Sequence, residues 1–189
     1  MVGLLKIRRA LMGTGDPHLK FKIANRQVSA GDSVSTGFAA FASGVSTTIL
    51  LDFTLSSRPS SGNGSNFKLI YSGTPFQYGT RNTSSSTTNL YYYWLSTSSY
   101  TDTGTTVAAN SRYLICITHE AGSGTVYVKT KKDTGSVLEK SKSGTFAAAS
   151  TVLSFGNPNT ANGLPNGTIN SAKVYDRVLS ASEIDAFFA

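Results

Sequence analysis

The sequence predicts an all-β protein, an antiparallel β-sandwich closed by one short C-terminal α-helix. Three observations predict it. Short apolar runs recur with a period of two, and turn-forming stretches of Ser, Thr, Gly, Asn and Pro separate them. Only the last ten residues, from Ser180 onward, carry a helix start. Strands without intervening helices favour a sandwich or jelly roll over a parallel βαβ sheet.

Taken in order, "LKFKIA" (19–24) sets Leu19, Phe21 and Ile23 against Lys20 and Lys22, as a half-exposed strand does. "TILLDFTL" (48–55) puts Ile49, Leu51, Phe53 and Leu55 on one face, with Asp52 and Thr54 on the other. "FKLIYS" (67–72) and "NLYYYWL" (89–95) read as strands from their aromatic and aliphatic content. "YLICIT" (113–118) is apolar on both parities, so it is a central strand covered on both faces. In "TVYVKT" (125–130), Val126 and Val128 point inward and Tyr127 and Lys129 outward; "EAGSGT" before it makes a hairpin turn. Shorter strands are expected at "SVLEK" and "TVLSFG". Long surface loops are expected over 56–66, 79–89 and 156–167.

The tail has its own logic. Ser180 and Glu183 form an S-x-x-E capping box, and Leu179 and Ile184 flank it at the spacing of a hydrophobic staple. Ile184, Phe187 and Phe188 share one helical face. A helix this short is marginal alone, so that face must dock on the sandwich.

From Arg112 onward the order of segments resembles the laminin G-like, concanavalin A-like jelly-roll superfamily. The matching pattern is G-x-I-x-x-x-x-V-Y-x-R-x-L-S followed by a helix beginning S-x-x-E-I. Gly167, Ile169, Val174, Tyr175, Arg177, Leu179, Ser180, Glu183 and Ile184 carry it. "TGFAAFASGVSTTILLDFTL" resembles the family's early strand more loosely. The resemblance implies a concanavalin A-like jelly roll over 16–189, and the residues before it read as a basic, amphipathic arm at 1–15.

Composition excludes some classes of function. With 39% hydrophobic and 14% charged residues, the chain is neither a disordered polyelectrolyte nor a helical membrane protein. No cleaved signal is evident in "MVGLLKIRRALMG". Cys116, the sole cysteine, leaves no intrachain disulfide and reads as a buried apolar residue. The net charge of +7 is uneven: residues 1–26 hold six basic residues against Asp16 alone. That bias suits an acidic or anionic partner, but it forms no nucleic-acid motif.

Catalytic chemistry is not visible. Jelly-roll glycosidases of the concanavalin type resemble one another in an E-x-D-x-x-E strand, and here Glu120, Glu139 and Glu183 stand isolated. His18 and His119 share no metal-ligand spacing with carboxylates or Cys116, and no G-x-S-x-G elbow occurs. Some laminin G-like domains bind calcium, but Asp32, Asp102 and Asp133 read as solvated or turn-capping residues. The expectation is a non-enzymatic protein with no cofactor and no metal.

Two surfaces are candidates for binding. On a strand, Tyr91 and Tyr93 share one face, and Tyr92 and Trp94 the other. Parity does not say which pair faces out. The bulk of Trp94 favours the core for its pair, which makes Tyr91 and Tyr93 the candidate contacts for a sugar ring or protein. Packing of both pairs inside the sandwich stays open. The other candidate is the arm, where Leu4, Ile7 and Leu11 fall at helical spacing beside Lys6, Arg8 and Arg9.

Two functions follow. The first is a virion structural protein, such as a capsid decoration, head-fibre or tail subunit, because short laminin G-like domains with basic starts resemble structural proteins of tailed bacteriophages. Its partners would be other virion proteins, host surface glycans, or both, and it would assemble in the host cytoplasm. The alternative is a carbohydrate-binding module or lectin, extracellular or at a cell surface. Neither reading needs a membrane span or nucleic acid, and both leave room for a homo-oligomer.

Overall fold

Two six-stranded antiparallel sheets face each other across one apolar core, and a single helix closes the chain. The computed structural model describes residues 16–41, 44–58, 67–72, 76–82, 87–94, 99–144, 152–156 and 164–189. The arm and its Leu4, Lys6, Ile7, Arg8, Arg9 and Leu11 lie outside the described residues. The strands in chain order are β1 (Leu19–Val28), β2 (Val34–Ser35), β3 (Thr47–Leu55), β4 (Lys68–Ser72), β5 (Phe76–Asn82) and β6 (Thr88–Trp94). Then come β7 (Ser99–Thr106), β8 (Ser111–His119), β9 (Thr125–Lys132), β10 (Leu138–Ser143), β11 (Ser154–Phe155) and β12 (Gly167–Tyr175), with α1 at Ala181–Phe188. The first sheet has the order β1-β12-β3-β8-β9-β10, and the second β2-β11-β4-β5-β6-β7.

The period-two reading holds where apolar residues carry it. Ile49, Leu51, Phe53 and Leu55 of β3 lie in the core, with Tyr113, Ile115 and Ile117 of β8 and Val126 and Val128 of β9. Tyr127 is turned out to solvent. β8 is covered on both faces, as its two apolar parities require: Leu114 and Cys116 pack under α1 beside Leu50. Burial pushes the Cys116 thiol up to about 12, which leaves it an inert apolar group.

One expected loop needs correction, and one strand has no reading in the sequence. The stretch 79–89 is partly strand, because β5 runs to Asn82 and β6 begins at Thr88. Residues 99–106 form β7, which apolar alternation does not signal, since the strand turns Thr103 and Thr105 inward instead of aliphatic residues.

The tail is built as its motif requires. Ser180 caps α1 and accepts from the Glu183 N–H, while the Glu183 carboxylate accepts from the Ser180 N–H. Leu179, Ile184 and Phe188 bury themselves on Leu50 and Leu114 of the sheet beneath, with Phe187 against the same cluster. Arg177 shows a role that the motif alone does not: its guanidinium donates to Glu183 at 2.6 and 2.9 Å and to Asp16 at 2.6 Å. It ties the helix start to the residues entering β1.

This contact makes a pH prediction. Arg177 and the Ser180 cap hold the Glu183 carboxyl near 2, against its ordinary 4.5. A depressed folded-state pKa contributes stability above the unfolded value, and that contribution is lost as pH falls from about 4.5 toward 2. Thermal melts across that window are expected to show a shallower acid slope in Glu183→Gln than in the parent. Identical slopes would contradict the assignment. Ser180→Ala should cost about 1 kcal/mol at neutral pH.

Candidate functional site

The outer face of the second sheet gathers the side chains with binding chemistry. Antiparallel register builds it in rows. Tyr71, Gln77, Tyr93 and Tyr100 face one another across β4, β5, β6 and β7, and the next row is Lys68, Gly79, Tyr91 and Asp102. Arg81 opposite Asn89 begins a third. The register between β6 and β7 shifts between Asn89 and Tyr91, and that between β4 and β5 shifts between Lys68 and Ile70. The second shift puts Lys68 on the outer face although Leu69 and Ile70 are both buried.

The structure settles the parity of the "YYYW" strand. Tyr92 is fully buried and Phe76 lies 6.5 Å away from it, ring centre to ring centre. Tyr91 and Tyr93 are half-buried on the opposite face. The two candidate tyrosines are therefore on the surface of the sandwich, one row apart. The side chain of Trp94 lies outside the described residues.

Each aromatic is held. The Tyr93 and Tyr100 rings are 5.1 Å apart with their planes inclined by 46°. Tyr100 keeps 38% of its surface exposed, which leaves it available to a ligand. The Arg81 guanidinium lies 4.5 Å from the Tyr100 ring centre and 5.7 Å from that of Tyr91, and the Lys68 ammonium lies 5.6 Å from the Tyr100 ring. The Tyr91 hydroxyl engages Asp102, and burial together with that carboxylate raises the Tyr91 pKa above its usual value.

Gly79 forms the floor of a shallow depression lined by Lys68, Gln77, Arg81, Tyr91 and Tyr100. No larger residue fits there, because a Cβ would come within 2.0 Å of the Phe67 carbonyl oxygen. That carbonyl accepts from the Thr80 N–H at 2.9 Å, so its position is set by the sheet itself. Backbone, not a side chain, therefore forms the middle of this face, between aromatic and basic side chains.

The remaining candidates have structural partners. Asp32 accepts from Ser29 N–H and Asp102 from Gly104 N–H within their own turns, and Asp133 accepts from Arg112 N–H at the start of β8. His18 lies 2.8 Å from Asp176, and buried His119 sits 2.9 Å from the Ser123 carbonyl at the β8–β9 turn. Among the described residues, no group of three or more His, Cys, Asp or Glu is placed to hold a metal. None of their helices is long and apolar enough to cross a membrane.

Sequence reasoning brings forward Tyr91 and Tyr93; Lys68, Arg81, Tyr100 and Gly79 join them on this face only through the fold. Their convergence depends on the register of four strands, which no local pattern contains.

Comparison with known proteins bears on the fold. A family model described as the concanavalin A-like lectin/glucanases superfamily matches residues 21–185. No curated protein matches. Among solved structures, the chain is similar to the CBM40 domain of the Ruminococcus gnavus IT-sialidase bound to α2,3-sialyllactose, at 13% identity and a TM-score of 0.57. That likeness covers 89% of this chain and 97% of the other. It is also similar to domain 4 of a GH43 extracellular arabinanase from Geobacillus stearothermophilus in complex with arabinotriose, at 13% identity and a TM-score of 0.54. There 86% of this chain and 75% of the other are covered. The Trypanosoma rangeli sialidase in complex with the inhibitor DANA matches at 16% identity and a TM-score of 0.55, over 87% of this chain and 28% of that one. At these identities the likeness is one of fold.

Proposed function

This chain belongs to the concanavalin A-like lectin/glucanases superfamily, and on that premise we propose that it is a non-catalytic carbohydrate-binding module whose site is the outer face of β4–β7. One observation carries the reading: the row Tyr71, Gln77, Tyr93 and Tyr100 beside a glycine-floored depression. Aromatic faces with adjacent polar groups suit the apolar faces and hydroxyl edges of a sugar ring. Tyr91 belongs to the same site, its hydroxyl positioned by Asp102.

The similar structures support this reading over the virion one, since two of them are sugar-complexed domains of the same architecture. Enzyme domains also share the fold. The non-catalytic reading therefore rests on this chain's own residues. The sole carboxylate of the two outer rows is Asp102, which accepts from Asn89 Nδ2 and from Gly104 N–H, and general acid–base hydrolysis of a glycosidic bond uses a pair. As a sugar-binding module it would act where glycans are displayed, outside a cell or at its surface.

The test is retention on a glycan array followed by titration of the best ligand. Tyr93→Ala and Tyr100→Ala are each expected to weaken that ligand about tenfold with the thermal midpoint little changed, because both rings are on the outer surface. No retention on any glycan, or affinity indifferent to both substitutions, would overturn the reading.

A further inference from the structure

Lys68 and Arg81 share an aromatic partner. Four basic side chains elsewhere in the fold pair with acids: Lys20 with Asp176, Arg112 with Asp52, Lys129 with Glu139, Arg177 with Asp16 and Glu183. Among the described residues, no carboxylate lies within ion-pair distance of Lys68 or Arg81. Both instead lean over the ring of Tyr100, from 5.6 and 4.5 Å. Two like charges therefore converge on one ring. Burial first, and the Arg81 charge second, hold the Lys68 ammonium below its ordinary pKa.

The acid nearest in the rows does not relieve them. Asp102 stands at the far end of the row from Lys68, and among the described residues it forms no ion pair with Lys68 or Arg81. Its oxygens already accept from Asn89 Nδ2 at 2.8 Å and from Gly104 N–H at 2.7 Å. Between Lys68 and Tyr91 is Gly79, which carries no side chain and lines the shallow depression. A half-buried lysine and an exposed arginine that converge beside a shallow depression are electrostatically complementary to an anion placed next to them.

We infer that Lys68 and Arg81 form an acid-recognising subsite, so that the module selects saccharides carrying an anionic substituent, a sugar carboxylate or a sugar sulfate. The inference rests on the carbohydrate-binding reading and narrows it. The pyranose or furanose ring lies on Tyr93 and Tyr100, and its acid group points across Gly79 toward the two cations. Arg81 supplies a planar donor fork and Lys68 a point charge. Neither the fold nor the sugars held by similar structures makes this choice, since arabinotriose is neutral and sialyllactose is acidic.

The experiment uses the full chain on an array of sialylated oligosaccharides, oligogalacturonates, sulfated galacto-oligosaccharides, and neutral arabino-, gluco- and galacto-oligosaccharides. Retention of acidic glycans above their neutral counterparts is expected. Whether carboxylates or sulfates lead identifies the acid. The best ligand is then titrated beside its carboxyl-reduced or desulfated form. Arg81→Gln and Lys68→Met are each expected to weaken the acidic ligand about 10- to 100-fold and leave the neutral form within a factor of two. Tyr93→Ala should weaken both forms alike. Equal affinity for acidic and neutral forms, or retention of neutral glycans alone, overturns the acid subsite while the carbohydrate-binding reading stands. No retention of any glycan overturns both. Thermal melts of each variant confirm that it folds.

Discussion

Tyr92→Ala is expected to lower the free energy of unfolding by about 3–5 kcal/mol, while Tyr93→Ala costs about 1 kcal/mol or less. The two residues are neighbours in sequence and differ only in the face they occupy. Tyr92 is fully buried, near the ring of Phe76 and within the core shared by both sheets. Its removal leaves a cavity that rigid strands fill only in part. Tyr93 touches Tyr100 on the outer surface, where water takes its place. Urea denaturation measures the difference as a shift in midpoint at constant slope. The ligand titration should rank the pair in the opposite way once each is folded, with Tyr93→Ala the weaker binder. Equal stability losses for the two variants would mean that the parity of β6 is wrong.

Gly79→Val is expected to cost about 2–4 kcal/mol and to abolish glycan retention. Any Cβ at this position meets the Phe67 carbonyl oxygen at 2.0 Å, and that oxygen is a backbone atom fixed by the Thr80 N–H. Relief requires β4 to move off β5 at its register shift, which breaks the bond and displaces Lys68 from the site. A useful control is Gly122→Ala, where φ is +78° and nothing lies within 4 Å of the added atom. That change carries only the left-handed backbone penalty, about 1–2 kcal/mol, and is remote from the binding face. It should bind glycan as the parent does. If Gly79→Val melts with the parent and keeps its affinity, the close approach of β4 to β5 is refuted.

The parts of the fold legible in the sequence are those whose inward residues are aliphatic or aromatic. β3 and β9 set Ile, Leu, Phe and Val at alternate positions and β8 is apolar on both parities, so their apolar patterning finds them. The tail is legible for a different reason: its capping box and staple are local, contained within six residues from Leu179 to Ile184. β5 and β7 escape because part of the core they face is polar. Buried Thr80, Thr103 and Thr105 line it, Thr103 donates to the Leu90 carbonyl, and the Tyr78 hydroxyl meets Thr130 across the two sheets. An alternation of threonines has the right period without the hydrophobic signal.

The candidate site divides in the same way. Tyr91 and Tyr93 are adjacent in one aromatic run, so sequence alone brings them forward. Lys68, Gly79, Arg81 and Tyr100 come from three other strands and span 33 positions of chain. The register shift after Lys68 also reverses the face that simple alternation assigns to it. A lysine in "FKLIYS" and an arginine in "YGTRN" look like ordinary solvation until four strands align them over one ring.

The most direct test of the central claim is amide chemical-shift mapping while the best array ligand is titrated into the labelled protein. The predicted result is a contiguous set of perturbations on β4–β7, at Lys68, Gln77, Arg81, Tyr91, Tyr93 and Tyr100, with β3, β8 and β9 unmoved. Perturbations confined to the opposite sheet, around Tyr127 and Lys129, with β4–β7 unchanged, would contradict it.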